Sequence, residues 1–221
     1  MGDTSPNKRI RCSFYKRSLF ICLLSTGQAV FSNETCSYTT YKWNVEIRQA
    51  VQHARVSKPY AEIIDKEVDP DTGCTVCEED QIEIKLAGVA PFKICKQFAE
   101  PLRKTLSELQ TNGFPIEEVI GYRVGMTRGE ADAEGNRTQF SNHSFGIALD
   151  INPTKNGLYE NCIHFGPQCR LRKGGHWLPD QPGSLQADGP VVLALKALGF
   201  RWGGEIAGRQ KDFMHFSPSG Y

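Results

Sequence analysis

Eight cysteines in 221 residues constrain this chain more than any other feature of its sequence. How many of them reach the mature protein depends on the amino terminus. Lys8, Arg9, Arg11, Lys16 and Arg17 form a basic region, Ser18 to Leu24 is apolar apart from its first residue, and small and polar residues follow through Gly27 and Ala29. A basic stretch, a short apolar run and a small-residue exit predict a cleavable export signal over residues 1–32. The competing reading is a buried N-terminal helix; the run is too short for a bilayer anchor. Cleavage near Ala29 or Ser32 removes Cys12 and Cys22 and leaves Cys36, Cys74, Cys77, Cys95, Cys162 and Cys169. An even number in an exported chain predicts disulfides. Cys162 and Cys169, on either side of a short Gly-Pro loop, are the pair expected to bond. Cys74-Thr75-Val76-Cys77 is read as disulfide-forming rather than zinc-holding, because no second CxxC accompanies it. The remaining connectivity stays open.

Hydrophobic residues at 39% and charged residues at 23% allow a real core and exclude global disorder. A formal net charge of +1 gives no basic excess of the kind nucleic-acid binders carry, so no nucleic-acid partner is expected. No run of 18 apolar residues exists, so no stable membrane insertion is expected once the signal is removed. The three N-x-S/T sequons, at Asn33, Asn136 and Asn142, are taken as chance, since the last encloses a candidate metal ligand.

The periodicities predict an α+β chain: a small antiparallel sheet with flanking helices, preceded by a disulfide-containing extension. Residues 33–115 form a supporting region and 116–221 the functional core. In the former, Ile82, Ile84 and Leu86 alternate as a half-buried strand. Ile94, Phe98, Leu102, Leu106 and Leu109 recur at helical spacing up to Gly113, with Pro101 marking a kink or a helix start. In the latter, Val119–Val124 reads as a strand entering a Gly-, Arg- and Asp-rich loop that ends near Phe140. Phe145–Ile151 reads as a second strand, with small residues and Asp150 on one face. Residues 153–187 form a long loop. Asp188 is expected to cap a helix bearing Val191, Val192, Leu195 and Leu198 and stopping at Gly199. A last strand spans Asp212–Phe216.

Two segments concentrate metal-binding residue types: Ser141-Asn142-His143-Ser144-Phe145-Gly146-Ile147-Ala148-Leu149-Asp150, and Asp212-Phe213-Met214-His215. Catalytic zinc sites use three N/O protein ligands and keep a fourth position open, and His143, Asp150 and His215 would supply two imidazoles and a carboxylate. Asp212 would then be a second carboxylate free to act as general base. On a flat strand residues 212 and 215 face opposite sides, so a bulge or strand end must converge them.

Ser-x-His-x-x-Gly-x-Ala-x-Asp over Ser141–Asp150, followed by Trp202-Gly203-Gly204 and by Asp212-x-x-His215-Phe216, resembles the zinc peptidoglycan peptidases. That family includes D-alanyl-D-alanine carboxypeptidases and L-alanyl-D-glutamate endopeptidases, and is related to lysostaphin-type peptidases and the hedgehog signalling domain. The resemblance covers Val119 to Phe216. It implies Zn2+ held by His143, Asp150 and His215, and Asp212 as the catalytic carboxylate, where the family often has Glu. It implies that Arg123, in Gly121-Tyr122-Arg123, stabilises the oxyanion, with Arg128 as the alternative arginine. A peptidoglycan peptide is the implied substrate, and the periplasm or cell surface the implied location. The Trp-Gly-Gly and Asp-x-x-His-Phe motifs look closer to the endopeptidase branch. His164 and His176 are candidates for the cleft, with a plain surface position the leading alternative. Trp202 and Phe216 are read as packing the site walls. A zinc-containing cell-wall binding module without activity is the alternative function.

Overall fold

The computed structural model describes residues 35–221. The expected export signal, with Cys12 and Cys22, lies outside them, as does Asn33. A long hairpin opens the described chain, from β1 (Thr35–Asn44) and β2 (Gln49–Pro59), followed by β3 (Gln81–Ile84) and β4 (Phe92–Cys95). Helix α1 (Lys96–Thr111) leads to β5 (Val119–Ile120) and the hairpin of β6 (Met126–Ala131) and β7 (Arg137–Phe140). Then come β8 (Leu149–Ile151), β9 (Leu158–Glu160), β10 (Arg170–Lys173), α2 (Pro190–Ala197), β11 (Arg201–Trp202), β12 (Gln210–Asp212) and β13 (His215–Ser217).

The class is α+β, built from several small sheets rather than one. Their strand orders are β2-β1-β6-β7, β10-β9-β12, β11-β13-β8-β5 and β3-β4. Pairing is antiparallel except between β1 and β6, which meet in parallel at Lys42 and Met126.

Helix α1 forms where four apolar side chains share one face. Leu102 and Leu106 are fully buried, Leu109 is buried, and Phe98 packs at the edge of the same cluster. Each fully buried leucine contributes roughly 1.5–3 kcal/mol over an exposed one. Pro101 lies inside the helix, neither starting it nor ending it. Its ring leaves the Gln97 carbonyl without the usual partner. Gly113, at φ +89, closes the helix in the left-handed region. Beneath α1 one apolar cluster joins Ile84, Ile94 and Leu102 to Leu149, Phe216 and Leu195, so β8 and β13 rest on the same core as α1.

A second cluster surrounds two disulfides, Cys36–Cys77 and Cys74–Cys95, with Val124, Phe140, Phe145 and Ile147. The CxxC cysteines thus bond to different strands and not to each other. Cys162–Cys169 closes the expected small loop, with Cα atoms 4.5 Å apart.

Several sequence expectations change. Ile82 is exposed while Ile84 and Leu86 are buried, so the alternation covers less than it promised. The strand at Val119 stops after Ile120, and the Gly- and Asp-rich stretch after it is the β6–β7 hairpin. Asp132 makes its turn by accepting from the backbone N–H groups of Glu134 and Asn136 at 3.0 and 2.8 Å. The expected strand Phe145–Ile151 begins as a 3-10 turn over Asn142–Phe145 and becomes extended only at Leu149. The long loop contains β9 and β10. Helix α2 is capped by Gly189 with Pro190 at its first position, which displaces Asp188.

Candidate metal centre

His143 lies in the 3-10 turn that follows β7. Gly146 ends this turn at φ +65, and a Cβ there would come within 1.9 Å of Gln81 Oε1. No side chain fits, so the turn needs glycine. The chain then enters β8, whose central residue is Asp150. His215, the first residue of β13, is the direct antiparallel partner of Asp150, and Ile120 of β5 pairs with Asp150 on the other side.

The three side chains converge. His143 Nε2 is 3.1 Å and His215 Nδ1 2.9 Å from Asp150 Oδ1. One donor atom from each residue lies within 4.8 Å of the others, and all three residues are buried. The other ring nitrogen of His143, Nδ1, is 2.8 Å from the Gly121 carbonyl, which can only accept. Nδ1 therefore carries the hydrogen, and in the neutral ring the Nε2 lone pair points at a carboxylate oxygen. Two acceptors face each other at hydrogen-bond distance, an arrangement that a cation between them satisfies. Two imidazole nitrogens and one carboxylate oxygen suit a divalent transition metal such as zinc. The residues present fit the group.

The electrostatics agree with a cation-binding site. Burial opposes the charge on Asp150, but the two imidazoles outweigh it and hold its carboxyl well below the usual range. Burial holds His143 below its ordinary value. Burial also opposes the charge on His215, but the Asp150 and Asp212 carboxylates leave it raised.

Asp212 ends β12 and lines the same cavity of about 250 Å³ as the three clustered residues. The expected single strand Asp212–Phe216 is two strands in two sheets, joined by a turn at Phe213 and Met214. This break turns residues 212 and 215 toward one cavity. Burial pushes the Asp212 carboxyl up to about 6. Its Oδ1 has no hydrogen-bond partner. A buried acceptor without a partner is costly and is kept where it has work to do. The Trp-Gly-Gly motif frames this segment. Trp202 donates from Nε1 to the Phe213 carbonyl at 2.8 Å, and a Cβ on Gly203 would lie 2.4 Å from the Asp212 carbonyl oxygen.

Arg123 points Nη2 at Asp150 Oδ2, 3.5 Å away, and borders the cavity. Arg128 also borders it but bonds Asn142 Oδ1 at 3.0 Å, away from the clustered carboxylate. His164 and His176 are exposed and do not line this cavity. Trp202 and Phe216 are core residues. Three participants had no sequence signal of their own. The Gly121 carbonyl is backbone and invisible to residue-type patterns. Lys173 lines the cavity from β10, inside a stretch read as loop. Leu158 does so from β9.

Fold and site together define an α+β chain carrying a buried His–Asp–His group beside a partnerless carboxylate and an arginine. The family model described as D-alanyl-D-alanine carboxypeptidase matches residues 134–218, under half of the chain, and bears out the resemblance over that segment. All three clustered residues and Asp212 fall inside the match, and Arg123 lies before it. The match and the His–Asp–His group together support a zinc peptidase of peptidoglycan in general terms. No curated protein and no solved structure matches the chain.

Proposed function

We propose that the protein is a zinc-dependent peptidase that hydrolyses a peptide bond in peptidoglycan stem peptides, as an L-alanyl-D-glutamate endopeptidase or a D-alanyl-D-alanine carboxypeptidase. The observation that carries this reading is the convergence of His143 Nε2, Asp150 Oδ1 and His215 Nδ1 beside the partnerless Asp212 carboxylate, within the segment that matches the carboxypeptidase model.

In this reading His143, Asp150 and His215 hold the ion. When bound, zinc supplies Lewis-acid polarisation of the scissile carbonyl and of the attacking water. Asp212 accepts the proton that water loses as its oxygen bonds to the carbonyl carbon. Arg123 donates to the oxyanion that develops on the carbonyl oxygen, a contribution of a few kcal/mol for one well-placed donor. As the C–N bond breaks, Asp212 returns its proton to the leaving amine. A binding module without activity has no use for a half-buried carboxylate whose buried oxygen lacks a partner, which favours the enzyme. Three disulfides suit an oxidising compartment, so export to the periplasm or cell surface belongs to the same reading.

Mass spectrometry of purified peptidoglycan after incubation with the zinc-loaded protein tests it. New amino termini at D-glutamate identify the endopeptidase, and release of D-alanine the carboxypeptidase. Unaltered fragments would refute both.

A further inference from the structure

The motif Cys74-Thr75-Val76-Cys77 plays no part in the chemistry above, yet the structure ties it to the metal centre through Tyr122. This residue stands between two that serve the site. On one side, the Gly121 carbonyl orients the His143 ring at 2.8 Å. On the other, the Arg123 guanidinium faces Asp150, and its backbone N–H donates to the His143 carbonyl at 3.1 Å. Tyr122 itself is held from the opposite direction. Its backbone N–H donates to the Lys93 carbonyl at 2.7 Å, and its hydroxyl donates to the Val76 carbonyl at 2.6 Å. Burial keeps the phenol protonated far above its ordinary value, so the hydroxyl remains a donor.

Val76 is pinned on both sides. Cys77 is bonded to Cys36 of β1, and Cys74 to Cys95 at the end of β4. The same knot grips the other half of the site. The Cys95 backbone N–H donates to the Gly146 carbonyl at 2.8 Å, and Gln81, anchored on the Thr75 and Cys77 carbonyls, packs against Gly146. Val76, Gln81, Cys95 and Tyr122 all lie before residue 134, outside the segment that matches the peptidase model.

We propose that Tyr122 is a positioning residue that couples the disulfide-pinned Val76 carbonyl to the Gly121–Arg123 segment, so that the Cys36–Cys77 and Cys74–Cys95 knot sets the alignment of Arg123 and the His143 ring. The inference rests on the metal reading of His143, Asp150 and His215. It makes the amino-terminal half a working part of the centre. Opening the knot loosens both the arginine and the histidine tautomer, because the Gly121 carbonyl and the Arg123 backbone move with Tyr122.

The test uses the full oxidised chain and compares wild type, Tyr122→Phe, Cys36→Ala with Cys77→Ala, and all three changes combined. Zinc affinity is read by competition with a chromophoric chelator, and turnover on a stem peptide. Tyr122→Phe keeps the ring and removes only the hydroxyl. It should weaken zinc about 10-fold, within the range of changes one shell out from a ligand, and lower kcat with KM unchanged. Because that hydroxyl acts only through the knot, removing it from a chain whose knot is already open should cost little more, and the combined variant should lose little zinc affinity beyond the cysteine variant; independent structural effects would multiply instead. Unchanged zinc affinity and kcat in Tyr122→Phe, or losses that multiply, would overturn the proposal. If the cysteine variant does not fold, Tyr122→Phe alone decides. A wild type that holds no zinc would overturn the metal reading itself and this inference with it, whereas a zinc-loaded wild type and an equally loaded, equally active Tyr122→Phe would sink only the inference.

Discussion

His215 and Asp150 are directly opposed residues of adjacent antiparallel strands, and their side chains meet with Nδ1 2.9 Å from Oδ1. Two buried strands therefore fix the spacing of two of the three candidate ligands, while His143 is brought to them by a turn. A pair of ligands held by strand register is stiff, and those two reach their positions without ordering a loop.

That stiffness bears on metal binding. His143→Ala and His215→Ala should each abolish stoichiometric zinc, as read by elemental analysis after mild purification. Zinc retained at one equivalent in the double variant would remove both residues from the ligand set.

Replacing Asp212 with Asn keeps the shape and removes the proton acceptor. Turnover should fall by about 100-fold or more while zinc content stays nearly unchanged. Loss of zinc in parallel would instead make Asp212 an orienting partner of His215.

The raised carboxyl of Asp212 also sets a pH dependence. The base works ionised, so turnover should fall as pH drops through about 6. A bound cation favours the ionised form and moves this acid limb lower. Stability has the opposite sign. A carboxyl raised on folding disfavours the folded state once ionised, so the metal-free protein should lose stability as pH climbs from 3.8 toward about 6. Metal-free Asp212→Asn should lack that loss. Parallel stability curves for wild type and variant across this window would contradict it.

The disulfides should differ in what they contribute. Cys36–Cys77 closes a separation of 41 residues and Cys162–Cys169 one of 7. Loop-closure entropy assigns about 4 kcal/mol to the first and about 2.5 kcal/mol to the second. Paired Cys→Ala variants should lower Tm in that order. Thiol counting on the unfolded, unreduced mature protein should find none of these six cysteines free.

The parts of the site that were legible in the sequence are those in which residue type carries the information. His143, Asp150, Asp212 and His215 are marked by residue type and by the resemblance of their two motifs to the zinc peptidases, and the apolar face of α1 by its helical spacing. What stayed hidden was backbone direction. Phe145 to Ile151 alternates like one strand, but Gly146 adopts a left-handed conformation and only Leu149–Ile151 extends. Asp212–Phe216 is continuous in polarity pattern, yet Phe213 and Met214 turn inward and divide it. The β6–β7 hairpin looked like loop because its turn residues outnumber its apolar ones. The pairing of Cys36 with Cys77 and of Cys74 with Cys95 depends on where β1 and β4 lie in space, which spacing along a chain does not encode.

The division between β12 and β13 has a further consequence. Phe213 and Met214 are both buried, at 3% and 1% exposure, and each flanking strand is fastened to a different sheet. The two-residue turn is therefore a gauge whose length matters more than its composition. One inserted residue would withdraw either the Asp212 carboxylate from the cavity or the His215 ring from Asp150, since neither strand can slip without breaking its register. The turn is also braced from outside, because Phe165, in the loop closed by Cys162 and Cys169, meets the Phe213 ring edge-on with centroids 5.4 Å apart.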